Sequence, residues 1–247
     1  MSEIFSTISK IAPNHDDTWA SKLFLTFDID WAHDNVLMDT VGLVTESGIP
    51  STWFVTHPTP ILNEIRKCKN QELGIHPNFN ALLDGSGDSE CNPRTILRDL
   101  LVIVPEAKSI RSHSMAQSTR LLDEFKAIGL SHDANHFIPQ HANIKLKPWF
   151  LWNQLCKVPY VWEDDVHLMY ESIGISQKDP VELAGEMSGI KVFDFHPIHV
   201  FLNSESLDRY ECTRSLHNNP KELIKYRYEG YGTRNRLIDL INLAKES

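Results

Sequence analysis

LFLTFDIDWAHD, residues 23–34, decides how the chain is read. From Leu23 to Phe27 the run is apolar except for Thr26, and it ends in two aspartates, Asp28 and Asp30, with one isoleucine between them. Such a run reads as a buried strand over 23–29. An unpaired buried carboxylate is costly, so both aspartates need partners. Residues two apart on a strand share a face, and Asp28 and Asp30 point to one side if the strand continues through both. Two carboxylates that close repel unless a cation stands between them, which suggests one metal ligand and one proton acceptor. The plainer alternative is a helix N-cap and a turn aspartate ahead of DNVLM.

Outward from this stretch, strand and helix patterns alternate. Residues 34–47 read as a helix ended by Gly48 and Pro50, and STWFVTH (51–57) as a second strand. A helix from Pro60 to about Lys69 leads to a short strand, ELGIH (72–76). Residues 93–104 and 116–129 are helical in pattern, 158–164 and 190–200 are strand candidates, and 233–246 closes the chain as a helix for which Thr233 is a candidate cap. Alternation of this kind favours parallel strands joined by right-handed crossovers, in an open sheet or a barrel. Asp28, Asp30, His76, Arg111, His113, Asp164 and His196 all fall at or just after strand ends, the rim where barrel sites are built. Residues 79–92 and 134–157 read as long loops over that rim.

Composition sets wider bounds. The 247 residues suit one domain, 1–247, and 41% hydrophobic with 23% charged residues describes a globular chain. With 24 basic against 33 acidic residues the formal charge is −9, which disfavours nucleic acid as a partner. The N-terminus has no basic stretch followed by an apolar core, and no run approaches a membrane span, so the chain reads as cytoplasmic. Cys68, Cys91, Cys156 and Cys212 are spread without metal-site spacing and read as reduced thiols. His132, His136 and His141 fit no ligand template and read as loop residues; DGSGD (84–88) lacks a following GK[ST], and there is no GxSxG elbow.

A second feature supports the aspartates. In GIHPNFN (74–80) His76 ends a strand, and a helical turn after Pro77 puts Asn80 on its face, where both reach one ion. Asn is a poor zinc ligand, so either the ion is harder than zinc or Asn80 only donates a hydrogen bond.

Taken in order, these features resemble the polysaccharide deacetylase family, the NodB homology domain of carbohydrate esterase family four. TFDID (26–30) is similar to the family's TFDD motif and implies Asp28 as general base and Asp30 as metal ligand. HPNFN (76–80) matches H-[ST]-x-x-H at His76 and puts Asn80 where the second histidine ligand stands. SIRSHS (109–114) keeps the arginine of R-x-P-[YF] as Arg111 and has His113 in place of proline; His113 is an alternative ligand. VWEDD (161–165) resembles the fourth motif through Trp162 and Asp164 or Asp165, and VFDFHPIH (192–199) ends in His196, the implied general acid, with His199 as an alternative acid or ligand. The wording of these motifs looks most like a branch associated with O-antigen and surface-polysaccharide biosynthesis.

The resemblance covers about residues 20–200 and leaves a C-terminal helical extension outside it. It implies a distorted, seven-stranded (β/α) barrel of the α/β class, and a divalent metal, zinc or another ion that suits Asn80. It further implies hydrolysis of an N-acetyl or O-acetyl group on a saccharide or activated sugar, with Arg111 orienting Asp28 and Asp164 keeping His196 protonated. Trp31 and Trp162 are the candidate saccharide-stacking residues, with the aromatics of PWFLW (148–152) as further candidates. An amidohydrolase acting on a non-sugar C–N bond and a non-catalytic saccharide-binding protein are the alternatives on the same scaffold.

Overall fold

A computed structural model describes residues 4–86 and 92–246; Cys91 and most of the second half of the expected 79–92 loop lie outside them. Among the described residues nine strands form one sheet: β1 (Leu23–Asp28), β2 (Ser51–Val55), β3 (Gln71–Ile75), β4 (Ser109–Ile110), β5 (His132–Phe137), β6 (Trp149–Phe150), β7 (Cys156–Tyr160), β8 (Trp162–Glu163) and β9 (Lys191–Phe195). Their order is β6-β7-β5-β4-β3-β2-β1-β9-β8, parallel throughout except where β6 meets β7.

The fold is the expected α/β class with a barrel-like sheet, and the strand count has a physical reason. β7 and β8 are one run, 156–163, broken at Val161. The first half pairs with β5, the second with β9, and the Val161 amide donates to the Val192 carbonyl at 3.2 Å. This run therefore joins the two ends of the curled sheet. Counted once, and without antiparallel β6, it leaves seven strands around the curl.

β1 lies between β2 and β9 with all six residues buried, as a continuous apolar run in a parallel sheet requires. Its two faces differ. Phe27 stacks on Trp53 at 4.1 Å on one side, while Thr26 and Asp28 point into the curl with Asp194, which pairs with Thr26 across β9. Gly74 of β3 faces a close approach: a Cβ there would lie 2.6 Å from Ser109 Oγ and 2.8 Å from Phe54. The crossover helix Asp34–Ser47 ends at Gly48, whose φ of +71° is the left-handed conformation of a helix stop.

Three expectations are corrected. Residues 132–137 form a strand and not a loop, because Asp133 is neutralised by Lys157 at 2.7 Å and Asn135 bonds to Ser112, which lets polar residues occupy the interior. The strand expected over 190–200 stops at Phe195, since Pro197 opens a helix, Pro197–Leu202. The 134–157 loop likewise contains most of β5, together with β6. Among the described residues no helix is long and apolar enough to cross a membrane.

Candidate active site

The C-terminal ends of the strands bring the predicted polar residues to one rim. Asp28 is the last residue of β1, so the strand does not carry Asp30 on the same face. Asp30 and Trp31 instead take φ values of +36° and +54°, a left-handed turn costly for any residue but Gly. That turn swings the Asp30 carboxylate over to β3 and the loop after β4. It does not cap the following helix, since His33 Nδ1 accepts from the Asn35 amide at 3.1 Å in that role.

Three donor atoms meet there. Asp30 Oδ1 lies 3.2 Å from His76 Nε2 and 3.3 Å from His113 Nδ1, and the two imidazole nitrogens are 3.4 Å apart. His76 follows β3 directly, and His113 opens a single 3-10 turn after Arg111. Three ligands of a tetrahedral ion bound at about 2.0–2.1 Å stand about 3.3 Å from one another, so this triangle has the edge that such an ion requires. Asp30 Oδ1 is buried and, among the described residues, has no hydrogen-bond donor of ordinary geometry, which fits an atom meant for a cation. Burial by itself raises the Asp30 pKa, but the His113 and His76 imidazoles beside it hold it far below the usual carboxylate range. His76 is lowered by burial and raised further by Asp28 and Asp30, with a net rise.

Asn80, the residue expected to complete the ligand set, stands at the start of a helical turn with its amide nitrogen 3.5 Å from Ser114 Oγ. The triangle is made by His113, the alternative left open in the sequence. The other alternative, His199, is buried behind His196 with its Nδ1 3.0 Å from Ser204 Oγ.

Beneath the triangle lies a buried arginine. Arg111 Nη1 donates to Asp28 Oδ1 at 3.1 Å, to Thr26 Oγ1 at 3.0 Å and to Asp194, while its Nε donates to the Ala134 carbonyl. Its guanidinium sits between the rings of Phe54 (4.7 Å) and Tyr160 (4.4 Å). The Asp28 carboxylate thus has one oxygen on Arg111 and the other 3.5 Å from His76 Nδ1. Asp28, Glu163, Asp194 and His196 also cluster, yet Arg111 already occupies the cationic position between Asp28 and Asp194. Burial pushes the Asp194 carboxyl up to about 7 against the pull of Arg111, and burial together with Asp165 and Asp194 raises Glu163 well above its ordinary value.

His196, at the end of β9, is tied to Asp164: its ring Nδ1 lies 2.7 Å from Oδ1 and its backbone amide donates to Oδ2 at 2.8 Å. Its free Nε2 faces the triangle, 3.7 Å from Asp30 Oδ2. The site therefore sets a carboxylate on an arginine and an imidazole on a carboxylate on either side of three ligand atoms. Such an arrangement takes a proton on one side and returns one on the other.

The aromatic candidates divide. Trp31 is half exposed and packs edge-on against His113 at 5.2 Å, at the mouth of the site. Trp162 is 2% exposed, packed at a tilt on Phe195 with ring centroids 4.8 Å apart and bonded to His167, so the expectation that it stacks on a sugar is corrected: it is enclosed in the core. Trp149, Phe150 and Trp152 are exposed on and beside edge strand β6, and none of them lines the cavity beside the triangle. His132 bonds to the Ile11 carbonyl, His136 packs on Trp149 and His141 on Tyr170. Cys68, Cys156 and Cys212 are free, and burial pushes the Cys156 thiol up to about 12.

Sequence reasoning missed Asp194 and Thr26. Each lies two residues before a predicted catalytic position, and the period-two argument applied to Asp28 would have found both. It also missed Tyr210, Glu211 and His217, which reach the site from the C-terminal extension and carry no local signal.

Residues 25–214 match the family described as WbmS-like polysaccharide deacetylase. Among solved structures, the chain is similar to WbmS of Bordetella bronchiseptica, named as a polysaccharide deacetylase involved in O-antigen biosynthesis, at 43% identity over 98% of each chain with a TM-score of 0.90. It is more distantly similar to a family 4 carbohydrate esterase from Streptomyces lividans, at 12% identity, 90% and 88% coverage and a TM-score of 0.45. A polysaccharide deacetylase from Mycobacterium smegmatis shows 16% identity, 90% and 91% coverage and a TM-score of 0.48. No curated protein matches the chain.

Proposed function

We propose, because the chain belongs to the WbmS-like polysaccharide deacetylase family, that it is a metal-dependent hydrolase that removes an acetyl group from an N-acetylated saccharide during surface-polysaccharide synthesis. The observation that carries the metal dependence is the Asp30, His76 and His113 triangle, whose three edges of 3.2 to 3.4 Å suit one small divalent ion. Zinc is the ion this nitrogen-rich set favours. The WbmS name supports O-antigen or a similar glycan as the setting.

When bound, the ion supplies Lewis acidity, lowering the pKa of a water and polarising the acetyl carbonyl. The protein's own groups do the rest. Asp28, aimed by its ion pair with Arg111, takes the proton of the attacking water. His76 turns its Nδ1 toward Asp28 and its Nε2 toward the triangle, so the proton acceptor and the ligand set share one rigid ring. His196, charged through Asp164, gives a proton from Nε2 to the departing sugar nitrogen as the C–N bond breaks. Trp31 shields the mouth and offers a face to the sugar.

The test is acetate release from N-acetylated saccharides by the purified protein, zinc-loaded and chelated. Release that disappears on chelation, returns with zinc and is absent in Asp28→Asn at full metal content supports the reading. Zinc-loaded protein that releases no acetate from free, nucleotide-linked or lipid-linked acetamido sugars overturns it.

A further inference from the structure

The ligand triangle opens into a cavity of about 430 Å³ that the barrel alone does not make. Asp30, His113 and His196 form one side, and Tyr210, Glu211 and His217 form the other, all three of these from the chain beyond β9. We propose that this cavity is a closed-ended pocket for one acetamido sugar ring, with Tyr210 as its wall and Asp165 as the acceptor that reads the sugar. On that basis the enzyme acts on a single or terminal residue and spares residues inside a chain. The proposal rests on the deacetylase reading and deepens it.

Three observations carry it. The volume is near the low end of the ~300–1,000 Å³ typical of small-molecule pockets, room for a sugar ring and its acetamide but not for a threaded chain. The far wall is built and fixed: Tyr210 lies on the helix Leu207–Thr213, with its ring 5.1 Å from His199 and 4.7 Å from His217. His199 in turn packs on the acid, His196, at 6.0 Å, so a continuous series of rings runs from the proton donor to the wall.

The third observation is chemical. Asp165 lines the cavity beside His196, and its Oδ1 is buried with no hydrogen-bond donor among the described residues. Its own amide is already spent on Asp164 Oδ1 at 2.9 Å, which fixes the backbone there. An acceptor without a donor beside the leaving group suits a sugar hydroxyl adjacent to the acetamide. Among the described residues no lysine or arginine lines the cavity, and Glu211 adds a third carboxylate to Asp30 and Asp165, so the pocket selects a neutral ring and leaves any phosphate of an activated sugar outside.

The experiment uses the zinc-loaded full chain with N-acetylglucosamine, N-acetylgalactosamine, their nucleotide-diphosphate forms and a fully acetylated chito-oligosaccharide, with the positions of acetyl loss read by mass spectrometry. Acetyl loss confined to single or terminal residues is expected, and the ratio of free to nucleotide-linked rates identifies the source of the sugar. Tyr210→Ala is expected to raise KM about tenfold with kcat within about twofold, the size of one lost stacking contact, while Tyr210→Phe keeps the wild-type KM. Asp165→Ala is expected to raise KM for the same substrates. Internal residues deacetylated as fast as terminal ones, or an unchanged KM in Tyr210→Ala, overturns the pocket. If no substrate releases acetate, ligand-observed NMR with Asp28→Asn separates the two readings: binding of a monosaccharide that Tyr210→Ala abolishes keeps the pocket while the deacetylase reading falls, and absence of all binding overturns the pocket as well.

Discussion

Asp164 holds His196 at two points, with Oδ1 at 2.7 Å from the ring Nδ1 and Oδ2 accepting the backbone amide at 2.8 Å. One carboxylate therefore sets the charge, the tautomer and the direction of the imidazole. Burial alone lowers the His196 pKa, but Asp164 outweighs it and raises the group well above its ordinary value of 6.5. In Asp164→Asn that charge is gone, and the alkaline limb of the kcat/KM profile is expected to move to lower pH. A limb that stays in place assigns the proton to another group. The pair stabilises the fold most between the ordinary carboxyl and imidazole values; it loses that contribution as pH falls through the lowered Asp164 value and as pH rises through the raised His196 value. Urea titrations of wild type and variant should therefore differ most at mildly acidic pH and converge at alkaline pH.

The triangle predicts which side chains hold the ion. Asp30→Ala, His76→Ala and His113→Ala should each weaken zinc binding by more than the ~10–100-fold typical of residues behind a ligand, read by metal content after dialysis against a competing chelator. Asn80→Ala should retain stoichiometric zinc. Loss of the ion in Asn80→Ala, with retention in His113→Ala, would restore Asn80 as the third ligand.

Arg111 neutralises two buried carboxylates at once, so its loss leaves Asp28 and Asp194 facing one another. Arg111→Met is expected to cost about 3–5 kcal/mol in urea unfolding. Arg111→Lys should recover only part of this, because an ammonium lacks the fork and the flat faces that meet Phe54 and Tyr160. A variant as stable as wild type would mean that Asp194 folds in its neutral form.

Asn203 ties the C-terminal extension to the barrel. In a left-handed conformation (φ +51°), its Nδ2 donates to the Tyr228 and Gly230 carbonyls, both at 2.9 Å, and its Oδ1 accepts from the Arg234 amide at 2.9 Å. Asn203→Ala should cost about 2–3 kcal/mol and speed hydrogen exchange across residues 204–232. Zinc affinity should be unchanged, since all three candidate ligands lie outside the extension.

What the sequence made legible follows from where the signal resides. β1 and the candidate site positions at its end could be read because a parallel central strand is apolar on both faces and its polar residues stand out. β5 could not, because HDANHF is polar and its burial depends on Lys157 and Ser112, which only the fold brings near. The run HPIHV looks like a strand by composition, and Pro197 makes it a helix. His113 as a ligand depends on the 3-10 turn after Arg111, and Tyr210 as a wall depends on how the extension packs; neither leaves a periodic trace. Asp194 was within reach, on β9 two residues before His196.

The pairing of β1 with β9 has a consequence for synthesis on the ribosome. Thr26 and Asp194, bonded to one another in the finished sheet, are 168 positions apart in the chain. Until β9 emerges, β1 has an open edge and Arg111 lacks one of its two carboxylates. A nascent chain ending anywhere before His196 is thus an unfinished sheet with an incomplete charge network, slow to close and exposed to association through its free edge. The same late strand supplies the closing edge and, directly after it, His196, so closure of the sheet and arrival of that imidazole at the candidate site are one event in synthesis.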